Sequence, residues 1–121
     1  MKVFSIFVLY KIPESSGGGQ ARILKSASDL SSFGFFQRGS VEEFLKFTAK
    51  IITERTPLST RSSVKEQEYM AHVYARADNL TAELVSDQEY PKRVAHTLLN
   101  KILDEFSKSV PSSVWPTVNE G

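Results

Sequence analysis

The segment from Lys2 to Tyr10 is apolar on both of its alternating faces. Val3, Phe7 and Leu9 form one set, and Phe4, Ile6, Val8 and Tyr10 form the other. A β-strand points successive side chains to opposite faces of its sheet, so a strand that is apolar on both must be covered on both. This predicts a central position in a sheet, with packed material above and below it. Any fold open to the chain must therefore supply two covering layers.

Two helical stretches can supply them. Over Ser40 to Arg55, the residues Val41, Phe44, Leu45, Thr48, Ile51, Ile52 and Arg55 recur at the spacing of a core-facing stripe. Ser40 with Glu43 reads as a capping box, and Pro57 forces an end. A second helix opens at Tyr90-Pro91, with proline in its first turn, and stops at Pro111. Its apolar face is Val94, Ala95, Leu98, Leu99, Ile102, Leu103, Phe106 and Val110, and its polar side includes Arg93, His96, Asn100, Lys101 and Asp104.

Strand-like runs fill the rest. Ala21 to Lys25 returns from a hairpin loop over Lys11 to Gln20. Arg61 to Glu66 is polar enough for an edge, Tyr69 to Arg76 is more apolar, and Leu80 to Ser86 follows the turn Ala77-Asp78-Asn79. The order ββαβββα predicts an α+β sandwich, a five-stranded antiparallel sheet flanked by helices, with the first and last strand groups side by side. The domain is expected over residues 1–110, followed by a partly ordered tail over 111–121 that holds Trp115-Pro116.

Composition removes several classes of function. The 121 residues suit one domain, and 15 basic against 14 acidic residues leave a net charge of +1. That balance favours neither nucleic acid nor an anionic membrane surface. Cysteine is absent, which excludes disulfides and thiolate chemistry. No apolar run approaches the ~20 residues of a membrane span, so no direct membrane insertion by this chain is expected. Met1 to Tyr10 is too brief for a signal peptide. Gly17-Gly18-Gly19 lacks the lysine and hydroxyl pair of a phosphate loop, and Asn79-Leu80-Thr81 matches a glycosylation acceptor by chance in a turn.

Catalytic groups do not converge. His72 lies on a strand face with Met70, Tyr74 and Arg76, and His96 lies on the polar side of the second helix. Each reads as a structural histidine. Asp87 and Glu89 precede that helix and read as caps. No three or four grouped ligands suggest a metal, and no cofactor is expected.

Phe47 is harder to place in a core. It lies roughly 100° from the centre of the expected helix stripe, beside Phe44 and Ile51. With Phe33, Phe35 and Phe36 in the preceding connector, these rings put five aromatics within fifteen residues. A surface aromatic with apolar neighbours is how a binding groove begins.

Three blocks carry a resemblance. They are Ser31-Ser32-Phe33-Gly34-Phe35-Phe36-Gln37-Arg38 running into Ser40-Val41-Glu42-Glu43-Phe44; Ser63-Val64-Lys65-Glu66-Gln67-Glu68-Tyr69; and Glu89-Tyr90-Pro91-Lys92-Arg93-Val94-Ala95-His96-Thr97-Leu98-Leu99 with Leu103-Asp104-Glu105-Phe106 after it. From Met1 to about Trp115 the chain resembles the longin domain, the N-terminal regulatory module of the lipid-anchored, prenylated longin-type R-SNARE.

The resemblance implies a profilin-like sandwich, with a final helix left open. It implies no enzymatic activity. It implies a domain that folds back on its own SNARE segment, and on a prenyl or acyl lipid, in a hydrophobic groove beside the first helix and the neighbouring strand. Phe47 matches the groove phenylalanine of that family. Phe44, Ile51 and Val64 are expected to line the groove, with Phe33 and Phe36 as further candidates. SNARE heptads and a cysteine-containing lipidation box are missing, and the hairpin loop at Pro13 to Gln20 is longer than usual.

The expectation is a monomeric regulatory domain in vesicle docking and membrane fusion, including ER–Golgi transport. Its full-length protein would be cytoplasmic and peripherally attached at Golgi, endosome or vesicle. Two alternatives stand beside it. One is a structural subunit of a trafficking complex that binds through the outer helix at Arg93 and Lys101. The other is an acyl transferase working from acyl-CoA, which would call on His72.

Overall fold

A computed structural model describes residues 2–13 and 20–117. The strands are β1 (Val3–Lys11), β2 (Ala21–Ser28), β3 (Thr60–Glu66), β4 (Tyr69–Ala75) and β5 (Leu80–Asp87). Helix α1 (Arg38–Arg55) follows β2, helix α2 (Lys92–Ser109) follows β5, and a short 3-10 helix covers Ser112–Thr117. The five strands form one sheet in the order β2-β1-β5-β4-β3, with antiparallel neighbours.

The doubly apolar β1 is interior, paired to β2 through Val8↔Lys25 and to β5 through Val8↔Ala82. The polar β3 is an edge, as its composition requires. Phe7, Leu9, Ile23 and Val85 meet Leu45 and Ala49 of α1, while Val8, Leu24, Leu80, Ala82 and Leu84 meet Ala95, Leu99 and Leu103 of α2. Phe4 joins the α1 side out of alternation, where the register against β5 shifts between Val3 and Ser5. α1 and α2 thereby cover both faces of β1, with Val3, Ile6 and Tyr10 half-buried on the α2 side.

Four local readings of the sequence need correction. Helix α1 begins at Arg38 behind the N-cap Gln37, with no side-chain cap, so Ser40 lies inside the helix and the Ser40–Glu43 box does not form. The cause is the turn ahead of it. Gln37 N–H donates to Gly34 C=O at 2.8 Å, and Arg38 Nε donates to Phe33 C=O at 3.2 Å, which carries helical geometry upstream.

The buried face of α1 is Leu45, Ala49, Ile52 and Thr53, so the helix is rolled away from the expected stripe. Ala49 is fully buried, and its small side chain lets the helix approach the sheet closely there. Pro91 is the N-cap of α2 and not its first turn. Asp87 accepts from the amides of Glu89 at 3.2 Å, Tyr90 at 3.0 Å and Lys2 at 2.8 Å, so it shapes the turn and ties down the N-terminus without capping α2.

The described part of the tail is the 3-10 helix Ser112–Thr117. Trp115 is buried against the α2 side of the core, and its Nε1–H donates to Val110 C=O at 3.0 Å. The hairpin tip, including Gly17 to Gly19, lies outside the described residues, as do residues 118–121. Asn79 sits at φ 72° in the β4–β5 turn and donates from Nδ2 to Lys11 C=O at 2.9 Å, a turn role that accounts for its place before Leu80-Thr81.

Candidate functional site

Rolling α1 toward the sheet at Ala49 lifts its other flank away from β3. Phe44, Phe47, Thr48, Ile51, Ile52 and Arg55 form one wall of the resulting furrow. Thr60, Ser62, Val64 and Glu66 of β3 form the other, and Thr56-Pro57 closes one end. Alternation along the strand puts these even-numbered residues on the α1 face. The furrow encloses about 420 Å³, within the range of small-ligand and peptide sites.

Its rim is unusual for a water-facing surface. Phe47 is 65% exposed and Phe44 is 40% exposed. Measured around the helix, Phe47 lies roughly 180° from the buried stripe, further out than the sequence pattern suggested. Exposed rings at the edge of an apolar furrow form the kind of contiguous apolar patch found at interaction and ligand sites. A second apolar cavity of about 400 Å³ lies on the α2 side, among Ile6, Val8, Ile102, Phe106 and Val110, but among the described residues no large exposed ring stands at its edge.

Of the six groove candidates, the structure brings together Phe44, Phe47, Ile51 and Val64. It does not bring in Phe33, whose ring packs against Phe4 at 5.6 Å and Tyr69 at 6.2 Å and caps the end of the core. Nor does it bring in Phe36, which is 94% exposed on the connector, stacked edge-on with Phe35 at 5.4 Å. The connector ends in a turn before α1, so its rings are spent on the core end and the outer surface and do not reach β3. Thr48 and Arg55, assigned above to the core stripe, are groove residues instead. Val64 was placed beside α1 by the resemblance, whereas Thr60, Ser62 and Glu66 on the same face of β3 were not singled out.

The histidines form a second cluster that sequence reasoning missed. Ser63 faces His72 across the β3–β4 pair. Its Oγ lies 2.7 Å from His72 Nδ1 and 3.0 Å from His96 Nε2. His96 thus faces the sheet and not solvent. A signal was present, since His96 precedes Leu99 by three and Leu103 by seven, the spacing of one helix face. Ser86 Oγ donates to Asp87 C=O at 2.9 Å, leaving its lone pair for His72 Nε2–H at 3.4 Å.

That order fixes the rest of the chain. His72 Nδ1 accepts from Ser63, and Ser63 accepts from His96 Nε2–H. The hydrogen-bond partners of these rings are hydroxyls, with no carboxylate to orient an imidazole as a base. Burial, then the neighbouring His96 and Lys92, hold His72 below its usual 6.5. Burial, then Arg61 and Lys92, do the same for His96. The group is built to stay neutral.

Among the described residues no three His, Cys, Asp or Glu side chains group as metal ligands, and no helix is long and apolar enough to cross a membrane.

Comparison with known proteins agrees with this geometry. The sequence model of the longin family, a regulated-SNARE-like domain, matches residues 30–121. The chain is 47% identical over 115 residues to the synaptobrevin homolog ykt6 of Schizosaccharomyces pombe, covering 95% of this chain and 56% of that protein. It is 47% identical over 105 residues to the synaptobrevin homolog YKT6 of Saccharomyces cerevisiae, covering 87% of this chain and 52% of that one. Its match to the homolog of Candida glabrata is 42% over 118 residues, or 98% and 58%. The chain therefore spans about half the length of the curated relatives it matches. Sheet order, flanking helices and these matches agree: the chain belongs to the longin family of regulated-SNARE-like domains.

Proposed function

We propose that the furrow between α1 and β3 receives an amphipathic SNARE helix, supplied by the longer protein or by a partner, and that the domain regulates membrane fusion by holding that helix. The observation that carries this reading is the exposure of Phe47 and Phe44 on the lip of an apolar furrow of about 420 Å³. An amphipathic helix laid there with its apolar face inward would cover both rings, the helix-in-groove mode of recognition. The wall from Phe44 to Arg55 is roughly 17 Å long at 1.5 Å per residue, enough for about three turns of a docked helix.

A prenyl or acyl chain has the right chemistry for the same apolar floor and would compete with the helix. The whole protein would then act in vesicle docking and fusion, cytoplasmic until the helix is released, with this domain monomeric and non-catalytic.

The test uses Phe47→Glu. The peptide is a SNARE helix drawn from the part of the Schizosaccharomyces pombe relative that this chain does not match. The variant should keep the wild-type circular dichroism spectrum and melting temperature, because its ring is mostly in water, and should bind the peptide at least tenfold more weakly. Unchanged affinity in a folded variant would refute the groove reading. Displacement of the peptide by a soluble prenyl lipid would support a shared site.

A further inference from the structure

The two faces of β3 do different jobs. Its even-numbered residues Thr60, Ser62, Val64 and Glu66 form the outer wall of the furrow. On the reverse face, Ser63 is gripped by His72 of β4 and His96 of α2, whose rings meet edge-on with centroids 5.7 Å apart. As an edge strand, β3 has only β4 to pair with in the sheet. Its further hold on the body of the domain comes from α2, through Ser63–His96 and through Arg61, whose Nη2 donates to Asn100 Oδ1 at 2.7 Å.

We propose that the Ser63–His72–His96 cluster is an acid-sensitive latch that fixes the outer wall of the furrow, so that acidification loosens β3 from α2 and weakens capture.

The hydrogen-bond chain has no room for another proton. His96 Nδ1 is buried with no partner, so a proton there becomes a buried donor without an acceptor. A proton on His72 Nδ1 forces Ser63 to accept from both rings and strands the serine's own hydrogen. The charged groups around the pair make either outcome worse. Lys92 on α2 and Arg61 on β3 are cationic and lie close enough to depress the two imidazoles, beneath the larger effect of burial. Lys65 shares this face of β3. β4 offers the Tyr74 ring, already stacked under Arg61 at 3.9 Å, and β5 offers the Ser86 hydroxyl. The Asp87 carboxylate at the end of β5 accepts from the amides of Lys2, Glu89 and Tyr90.

Both imidazoles are held below 6.5, so the latch is intact above that pH and is lost as pH falls beneath it. The loosening of β3 stands on this cluster alone. Only the final step, weaker capture, rests on the groove reading.

The experiment is a titration of the domain from pH 7.5 to 5.0. Imidazole proton resonances, amide hydrogen exchange of Ser62 to Val64 and affinity for the SNARE-helix peptide named above are followed together. We expect exchange protection of the β3 amides, corrected for intrinsic rates, to drop at least tenfold as the histidines charge, and peptide affinity to drop about fivefold. A His72→Gln/His96→Phe double variant should hold both constant. His96→Phe alone keeps an aromatic ring in the contact and serves if the double variant does not fold.

β3 protection that ignores histidine charging, or a folded variant that keeps the whole pH response, would overturn the latch. A peptide that binds at no pH, alongside β3 protection that follows the histidines, would remove the groove reading and leave the latch standing.

Discussion

Glu83 is the residue least at home in its surroundings. It lies on β5 between Phe7 and Val73 on the neighbouring strands, fully buried, with neither carboxylate oxygen hydrogen-bonded. Burial, and then the charge of Glu66, push its carboxyl up to about 8 from the usual 4.5. The fold therefore favours the protonated acid. Its full contribution is present below pH 4.5, where the unfolded chain is also protonated, and is lost as pH rises toward about 8. The loss can reach about 1.4 kcal/mol per pH unit. The histidines slope the other way, and only below 6.5. Between pH 6.5 and 8 the urea midpoint should therefore fall as pH rises, and Glu83→Leu should flatten and raise that curve. A wild-type midpoint constant over this range would mean the carboxyl is not raised. Phe47 is the opposite case, an apolar ring in water, and its Glu substitution should cost binding and not folding.

At the scale of elements, the first strand was the easiest part to read. Apolar residues on both alternating sets leave a strand no place but the interior, and β1 is there. The edge character of β3 came from Arg61 and Lys65 among serines in the same way. What the sequence could not show was how α1 rolls on the sheet. Phe44, Thr48 and Arg55 fit an apolar stripe as well as Leu45, Ala49 and Thr53 do, and only the close approach at Ala49 decides between them. Five of the seven stripe residues, Phe44, Thr48, Ile51, Ile52 and Arg55, line the groove for this reason. The Ser63–His72–His96 contact depends on strand register and helix rotation together, which no local pattern encodes. Within the tail, Pro111 and Pro116 argue against an α-helix, and a short 3-10 turn over Ser112–Thr117 is enough to seat Trp115. That ring is buried near Tyr10 and Phe106, with centroids 6.3 and 6.5 Å away. Trp115→Ala should cost about 3–5 kcal/mol in chemical denaturation. A cost under 1 kcal/mol would return the segment to the status of a loose tail.

The molecule as a whole is a sheet whose two sides have separate duties. The α2 side is packed by Leu99, Leu103 and Trp115 around a cavity at Ile6, Ile102 and Phe106, and carries the histidine latch. The α1 side is closed over β1 and β2 and, through Ile52 against Ala71 and Val73, over β4, and is left open toward β3. The relatives it matches are about twice as long as the matched segment, so the longin fold is one part of a larger design in those proteins. On the proposed reading, the open furrow is where another part of such a protein docks. The most direct test is an amide chemical-shift titration of the domain with the SNARE-helix peptide. Saturable shifts are expected, confined to the flank of α1 from Phe44 to Arg55 and to β3 from Thr60 to Glu66. Shifts centred instead on the α2-side cavity at Ile6, Ile102 and Phe106, or no saturable shifts at all, would contradict the groove reading.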